Sequence, residues 1–152
     1  LEKNFNVTII TQNIDDLHET AGSTNVVHLH GEIFKMRSER DETLVAEIRG
    51  DINLGDTASD GTQLRPYIVW FEEPVPKMEE AISIVYAADI FVVVGTSLVV
   101  YPAAGLLNYV AFDTPKYIID KKIPYISSMK NLTVIEKPAT KGVEVLKKLL
   151  LD

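Results

Sequence analysis

The chain of 152 residues has no cysteine, which excludes a disulfide framework and every thiolate metal site. No stretch approaches the ~18 uninterrupted apolar residues of a membrane span, so no membrane association is expected. Nothing near the first residue, a Leu rather than a Met, resembles a signal peptide. The expectation is a cytoplasmic protein whose chain here starts part-way along a longer one. Basic residues are also few: 15 Lys and Arg stand against 22 Asp and Glu, a net charge of −7. No predicted element gathers them, which argues against nucleic-acid binding through a basic face. An acidic surface suits a basic partner such as a lysine-bearing protein. What is abundant is apolar side chain, 46% of the total, enough for about one domain with a real core.

The apolar residues fall into short strands separated by helical stretches. "NVTII" (6–10) is β-branched and predicts a buried strand. "DDLHETAG" follows, with acids at its start and Gly22 at its end, the charge order of a short helix. "VVHLHGE" (26–32), "PYIVWF" (66–71), "IFVVV" (90–94), "KYIID" (116–120) and "LTVIE" (132–136) predict further strands. "PKMEEAISIVYAAD" (76–89) puts Met78, Ala81, Ile82, Val85 and Tyr86 on one helical stripe. Pro102 stands near the start of "AAGLLNYVA", where its missing N–H costs nothing. The last helix, "KGVEVLKKLLLD", is expected to turn Val143, Leu146, Leu149 and Leu150 inward. Residues 33–64 break the pattern; they are charged, then rich in Asp, Gly, Ser and Thr, and predict an excursion from the main core. Strand–helix alternation with continuous apolar strands means an α/β fold, a parallel sheet covered on both faces.

Ligands of such sheets gather beyond the carboxyl ends of the strands. Three polar clusters are predicted there: Thr11-Gln12-Asn13 with Asp15, Gly95-Thr96-Ser97, and Asp120. Small hydroxyl residues and exposed backbone N–H groups at a strand-to-helix turn suit a phosphate or a ribose; the same residues also serve as ordinary loop and cap residues. All three histidines lie between residues 18 and 30. His28 and His30, two apart on an extended segment, share a face. They could join His18 around a metal ion, supply a general base, or do neither.

The blocks "TQNIDDLHETAGS", "VVHLHGE", "RPYIVWFEEPVP" and "VVVGTSLVVYPAAGLL" occur in that order, and "KPATKGVEVL" closes the chain. Together they resemble the sirtuin (Sir2) family of NAD-dependent protein-lysine deacylases, with wording nearest its bacterial and desuccinylase-like members. The resemblance implies a Rossmann-like NAD-binding domain formed by residues 1–32 and 65–152, with 33–64 as a small inserted module. It implies His30, before Gly31, as the catalytic histidine, acting with Asn13 and Asp15. Gln12, Asn13, Ile14 and Asp15 would surround the nicotinamide and its ribose. Gly95, Thr96 and Ser97 would meet the phosphates and ribose of the cofactor, NAD, and Asp120 and Ala139 its adenosine. Val69, Trp70, Phe71 and Glu72 would form the strand that pairs with an acyl-lysine peptide. In the family's reaction the lysine's acyl oxygen displaces nicotinamide from ADP-ribose, and an imidazole then removes a ribose hydroxyl proton.

Three departures from the family pattern accompany the resemblance. Its glycine-rich opening strand and phosphate loop have no counterpart here, so residues 1–152 in isolation are expected not to turn over. The usual zinc cysteines of the excursion are absent; no structural zinc is expected, and 33–64 must hold together by packing or be poorly ordered. Glu72 stands where the family has Gly, and Asp120 where Asn is usual. An NAD- or ADP-ribose-binding module without deacylation, and an NAD-hydrolysing enzyme on the same scaffold, remain as alternatives.

Overall fold

The computed structural model describes residues 1–96, 98–123 and 129–151. The chain divides into two units, Glu2–Lys77 and Met78–Asp152.

In the first unit, strand β1 (Ile9–Thr11) pairs in parallel with β2 (Val26–His28), Thr11 standing opposite His28. The connection carries one helical turn, α1 (Leu17–Thr20). Asp15 helps start it by accepting the Leu17 N–H on Oδ1 at 3.2 Å, the reason an Asp suits this place. Next comes a three-stranded antiparallel sheet in the order β4–β3–β5, built from β3 (Gly31–Ser38), β4 (Val45–Glu47) and β5 (Leu64–Ile68).

Much of the stretch expected to be loop is therefore strand. The "KMRS" segment carries charge, which hid its extended character, but both of its cations are paired. Lys35 meets Glu32 at 2.8 Å, and buried Arg37 reaches Glu42 at 3.2 Å and donates to the Ser38 carbonyl at 3.0 Å. The excursion is held by hydrogen bonds as much as by apolar packing. Ser38 is fully buried, and its Oγ donates to Asp60 Oδ2 at 2.7 Å, lies 2.7 Å from Thr62 Oγ1, and accepts the Arg40 and Asp41 N–H groups at 3.0 and 2.9 Å. Asp60 in turn accepts the N–H and hydroxyl of Thr62. One small hydroxyl thus ties together the ends of β3 and the chain leading into β5.

The second unit holds a parallel sheet, β6 (Phe91–Val94), β7 (Lys116–Asp120) and β8 (Leu132–Glu136), in that spatial order. The central strand is buried on both faces, with neighbouring Ile118 and Ile119 both sealed, as expected for a parallel strand. Helix α3 (Ala139–Leu151) lies on one face, where Leu146 packs with Ile119 and Ile135, flanked by Val145 and Leu150. Burying a side chain of this size contributes about 1.5–3 kcal/mol. Gly142 sets the seat of the helix: a Cβ there would run into the Ile119 side chain. Close contact at 142 centres the apolar face on 142, 145, 146 and 150, which leaves Val143 and Leu149 exposed, contrary to the periodicity-based expectation. Leu146 and Leu150 do face inward. On α2 (Met78–Tyr86), Ala81 and Val85 are buried as the stripe predicts, while Tyr86, on the last turn, is exposed. Residues 103–109 form a 3₁₀ helix that packs with α2. Among the described residues no helix is long and apolar enough to cross a membrane.

Lys116 opens β7 almost fully buried, and its ammonium donates to the carbonyls of Ala111, Phe112 and Thr114 at 2.9, 3.2 and 2.8 Å. It folds the loop ahead of the strand around a single charge, and a buried ammonium is tolerable because each donor is used. Replacing it with Met keeps the stem and strands three carbonyls. Lys116→Met should lower the unfolding free energy by about 2–4 kcal/mol, measured by denaturant titration; a loss under about 0.5 kcal/mol would show that the loop is held by other means.

Candidate active site

β1 ends at Thr11, and its continuation, Gln12 to Asp15, is a loop whose backbone is held from one side. The Thr11 carbonyl accepts the Leu29 N–H at 2.9 Å, and the Ile14 carbonyl accepts the Ile33 N–H at 2.8 Å. Between them the Gln12 carbonyl accepts Nδ1–H of His30 at 3.1 Å and the Asn13 carbonyl accepts Nδ1–H of His28 at 3.0 Å. Thr11 Oγ1 also takes the Asn13 N–H at 3.1 Å. Four successive carbonyls are thus matched with donors from residues 28–33. The Gln12 and Asn13 carbonyls are brought onto His30 and His28, while the Asp15 carboxylate turns to the Leu17 N–H at the start of α1.

The two imidazoles differ in environment. His28 is buried and its Nε2 lies 2.7 Å from Glu19 Oε1 on α1. Burial acts to lower the His28 pKa, but the hydrogen bonds to Glu19 and Asn13 and the charges of Glu19 and Glu32 outweigh it and hold it above its ordinary value. The hydrogen bond from His28 holds the Glu19 carboxyl below its usual range. His28 and Glu19 form an ion pair when the ring is protonated, and each favours the charged form of the other. His30 is half-buried and makes one bond to a carbonyl. In the neutral ring that bond places the proton on Nδ1 and leaves Nε2 to accept one. With His28 committed to Glu19, the three histidines do not surround a common point; among the described residues no three His, Asp or Glu side chains gather as a metal site.

Gly31 follows with φ +83°, and a Cβ on it would collide with the Tyr67 carbonyl. This close approach lets β3 start opposite Ile68 while the His30 carbonyl accepts the Val69 N–H at 2.9 Å. The end of β5 is thereby fixed beside His30. Beyond it, Trp70 and Phe71 are exposed, 54% and 95%, on a turn closed by the Glu73 N–H to the Trp70 carbonyl at 3.1 Å. Arg65 braces that turn with two bonds to the Glu73 carboxylate, at 2.7 and 3.1 Å. The hydrogen bond from Arg65 holds Glu73 below the usual carboxylate range, and the carboxylate also accepts the Trp70 N–H at 3.0 Å. Within the turn, Glu72 has φ +73°, a conformation natural for Gly and strained for other residues.

The remaining candidates lie in the second unit, at the carboxyl edge of its parallel sheet. Gly95 follows β6 and donates its N–H to the Ile119 carbonyl at 2.9 Å; Asp120 ends β7 opposite Glu136; Ala139 opens α3, just past the end of β8. Thr96 Oγ1 accepts the Leu98 N–H at 3.3 Å and Asp120 Oδ1 the Lys122 N–H at 3.0 Å. Ser97 lies outside the described residues. Sequence reasoning did not single out Arg65 and Glu73 as the brace of the turn, nor Glu19 as the partner of His28. Charged residues eight or nine apart across turns carry no periodic signal, so only the folded chain pairs them.

A family model described as "Sir2 family" matches residues 1–102. The chain belongs to the Sir2 family. Among Sir2 relatives, the NAD-dependent protein deacylase of Bacteroides thetaiotaomicron is 53% identical over 157 residues, covering 99% of this chain and 67% of that protein. The one from Helicobacter pylori is 47% identical over 152 residues, covering 100% of this chain and 66% of that protein. The chain thus spans about two thirds of the length of the Sir2 relatives it matches. A mutant Sir2 homologue in complex with ADP-ribose superposes with a TM-score of 0.80 at 31% identity, over 99% of this chain and 64% of that one. A complex of Sir2 with a p53 peptide and NAD⁺ superposes with a TM-score of 0.76 at 28% identity, over 99% of this chain and 66% of that one. The fold is therefore the α/β, Rossmann-like fold of Sir2 proteins; the order of strands and helices predicts the α/β class, and the family resemblance its Rossmann-like form.

Two backbone positions of this Sir2 chain yield opposite predictions. Gly31→Ala forces a Cβ against the Tyr67 carbonyl and should destabilise by more than about 2 kcal/mol. Glu72→Gly relieves the left-handed strain and should stabilise by about 0.5–1 kcal/mol, less than the strain itself because Gly loses more entropy on folding. Paired denaturation curves check both; a neutral Gly31→Ala would mean that β3 and β5 can separate at this point without cost.

Proposed function

We propose that the protein carrying this chain is an NAD-dependent protein-lysine deacylase, transferring an acyl group from lysine to ADP-ribose. The observation that carries the reading is the His30 ring, fixed through Nδ1 on the Gln12 carbonyl beside a loop whose neighbouring Thr11, Asn13 and Ile14 carbonyls are also engaged. A base so held meets the two demands of proton abstraction, a lone pair on Nε2 and a fixed direction. Gln12, Asn13, Ile14 and Asp15 hold the nicotinamide end of NAD. Gly95, Thr96, Ser97, Asp120 and Ala139 hold its phosphates and adenosine, in keeping with the rule that nucleotides gather at the carboxyl ends of parallel strands. Asp120 retains a second carboxylate oxygen for a ribose hydroxyl. Bound NAD supplies the electrophilic ribose carbon that accepts the acyl group as nicotinamide leaves. His30 Nε2 takes the proton of a ribose hydroxyl, and Asn13 and Asp15 orient that ribose.

Val69, Trp70, Phe71 and Glu72 are the peptide-binding strand of this proposal, with the braced turn presenting two exposed aromatic rings as walls for an acylated lysine side chain. The domain division proposed from the sequence, 1–32 with 65–152 around a module of 33–64, belongs to the same reading. A second reading, an NAD or ADP-ribose binder without deacylation, is favoured by Glu72, whose carboxylate stands on the peptide-binding turn. Calorimetry separates the two, since a binder takes ADP-ribose and ignores acyl-peptide.

His30→Ala in the full-length protein should lower acyl-peptide-dependent nicotinamide release at least about 100-fold, the scale of a lost general base. Turnover within a few-fold of the unaltered protein would remove His30 from the base role.

A further inference from the structure

Among the described residues, His28 is a buried titratable group beside the loop that the proposed chemistry does not use. Its two ring nitrogens face the Asn13 carbonyl at 3.0 Å and a Glu19 carboxylate oxygen at 2.7 Å. Both partners only accept hydrogen bonds. A neutral imidazole has one N–H, so one of these contacts would set a lone pair against a lone pair; the doubly protonated ring satisfies both. His30, two residues on, meets the Gln12 carbonyl through Nδ1, a contact that needs one N–H. The neighbouring imidazoles thus differ in their demand for protons: the His28 ring faces acceptors at both nitrogens, the His30 ring a carbonyl at Nδ1.

We infer that His28 is a positioning residue that acts as an imidazolium, clamping the Asn13 carbonyl to α1 and so holding the 12–15 loop in its nucleotide-binding shape. The inference rests on the proposed function, which makes that loop the nicotinamide wall. The charged and polar groups facing the ring are Glu19 from α1, Glu32 from β3 and the Asn13 carbonyl from the loop after β1. All three favour the cation. The direction of the pH dependence follows. The ring is protonated below its folded pKa, which lies above the ordinary 6.5. As pH rises through that value one N–H is lost, and either Asn13 or Glu19 is released. Binding of NAD should then fall on the alkaline side, the opposite limb from a base such as His30, which must be neutral to act.

Three variants of the full-length protein test this, each assayed for kcat/KM with NAD across pH. Glu19→Gln, at an exposed position, removes the carboxylate charge but leaves an acceptor, and should move the alkaline limb to lower pH with kcat at pH 6 within about twofold. His28→Asn places an amide nitrogen near the former Nδ1, donates without titrating, and should keep activity within about fivefold while losing the alkaline limb. His28→Phe removes the donor and should raise KM for NAD about tenfold with a smaller change in kcat. Alkaline limbs in Glu19→Gln and His28→Asn that superimpose on that of the unaltered protein would overturn the inference. If His28→Phe does not fold, the Glu19→Gln profile decides the matter alone. Failure here leaves the base assignment standing where His30→Ala is inactive, whereas an active His30→Ala sinks the function and leaves the clamp without its purpose.

Discussion

The loop that follows β1 is kept from folding back on itself by donors that occupy its carbonyls from behind. Residues Thr11 to Ile14 each give their backbone oxygen to a donor from residues 28–33. Two of those donors are backbone N–H groups and two are imidazoles. Extended strand pairing supplies backbone partners only while the register lasts, and β1 and β2 run for three residues each. Where the register ends, histidine rings continue the ladder. A hydrogen bond of this kind contributes about 0.5–1.5 kcal/mol, so the rings have a structural part in holding the loop. This is the physical reason that the segment is so rich in histidine.

The same economy recurs around it. Gly31 lets β3 leave the loop at a point where no side chain fits, which carries the His30 carbonyl to the Val69 N–H. His30 and the end of β5 are thereby linked through one residue. The Arg65–Glu73 pair fixes the far end of that strand with a two-pronged ionic hydrogen bond, a geometry that specifies direction as well as distance. Further along β3, the Ser38 hydroxyl gathers four partners from two segments. Polar groups that would be liabilities if buried singly become fasteners when each donor has an acceptor.

The sequence pattern located the strands at 9–11, 26–28, 91–94, 116–120 and 132–136 and the helices at 78–86 and 139–151 to within a few residues, because each carries a continuous or periodic set of apolar residues. It missed β3 and β4, where Lys35, Arg37 and Glu47 interrupt the alternation and pairing with partners distant in sequence replaces burial. It set the wrong face of α3 inward at Val143 and Leu149. Helical periodicity fixes a stripe only to within a residue or so, and the decisive contact is an absence, the missing Cβ of Gly142 against Ile119.

The order of motifs was enough, by itself, to name the family and to point to His30, Asn13 and Asp15, since those residue types at those spacings are local facts of the chain. Folding alone separated the histidines. Nothing in "HLH" says which ring meets a carboxylate and which meets only a carbonyl, because Glu19 arrives from another element. A side chain's charge state is set by what surrounds it, and the surroundings are assembled from residues that are neighbours only in space.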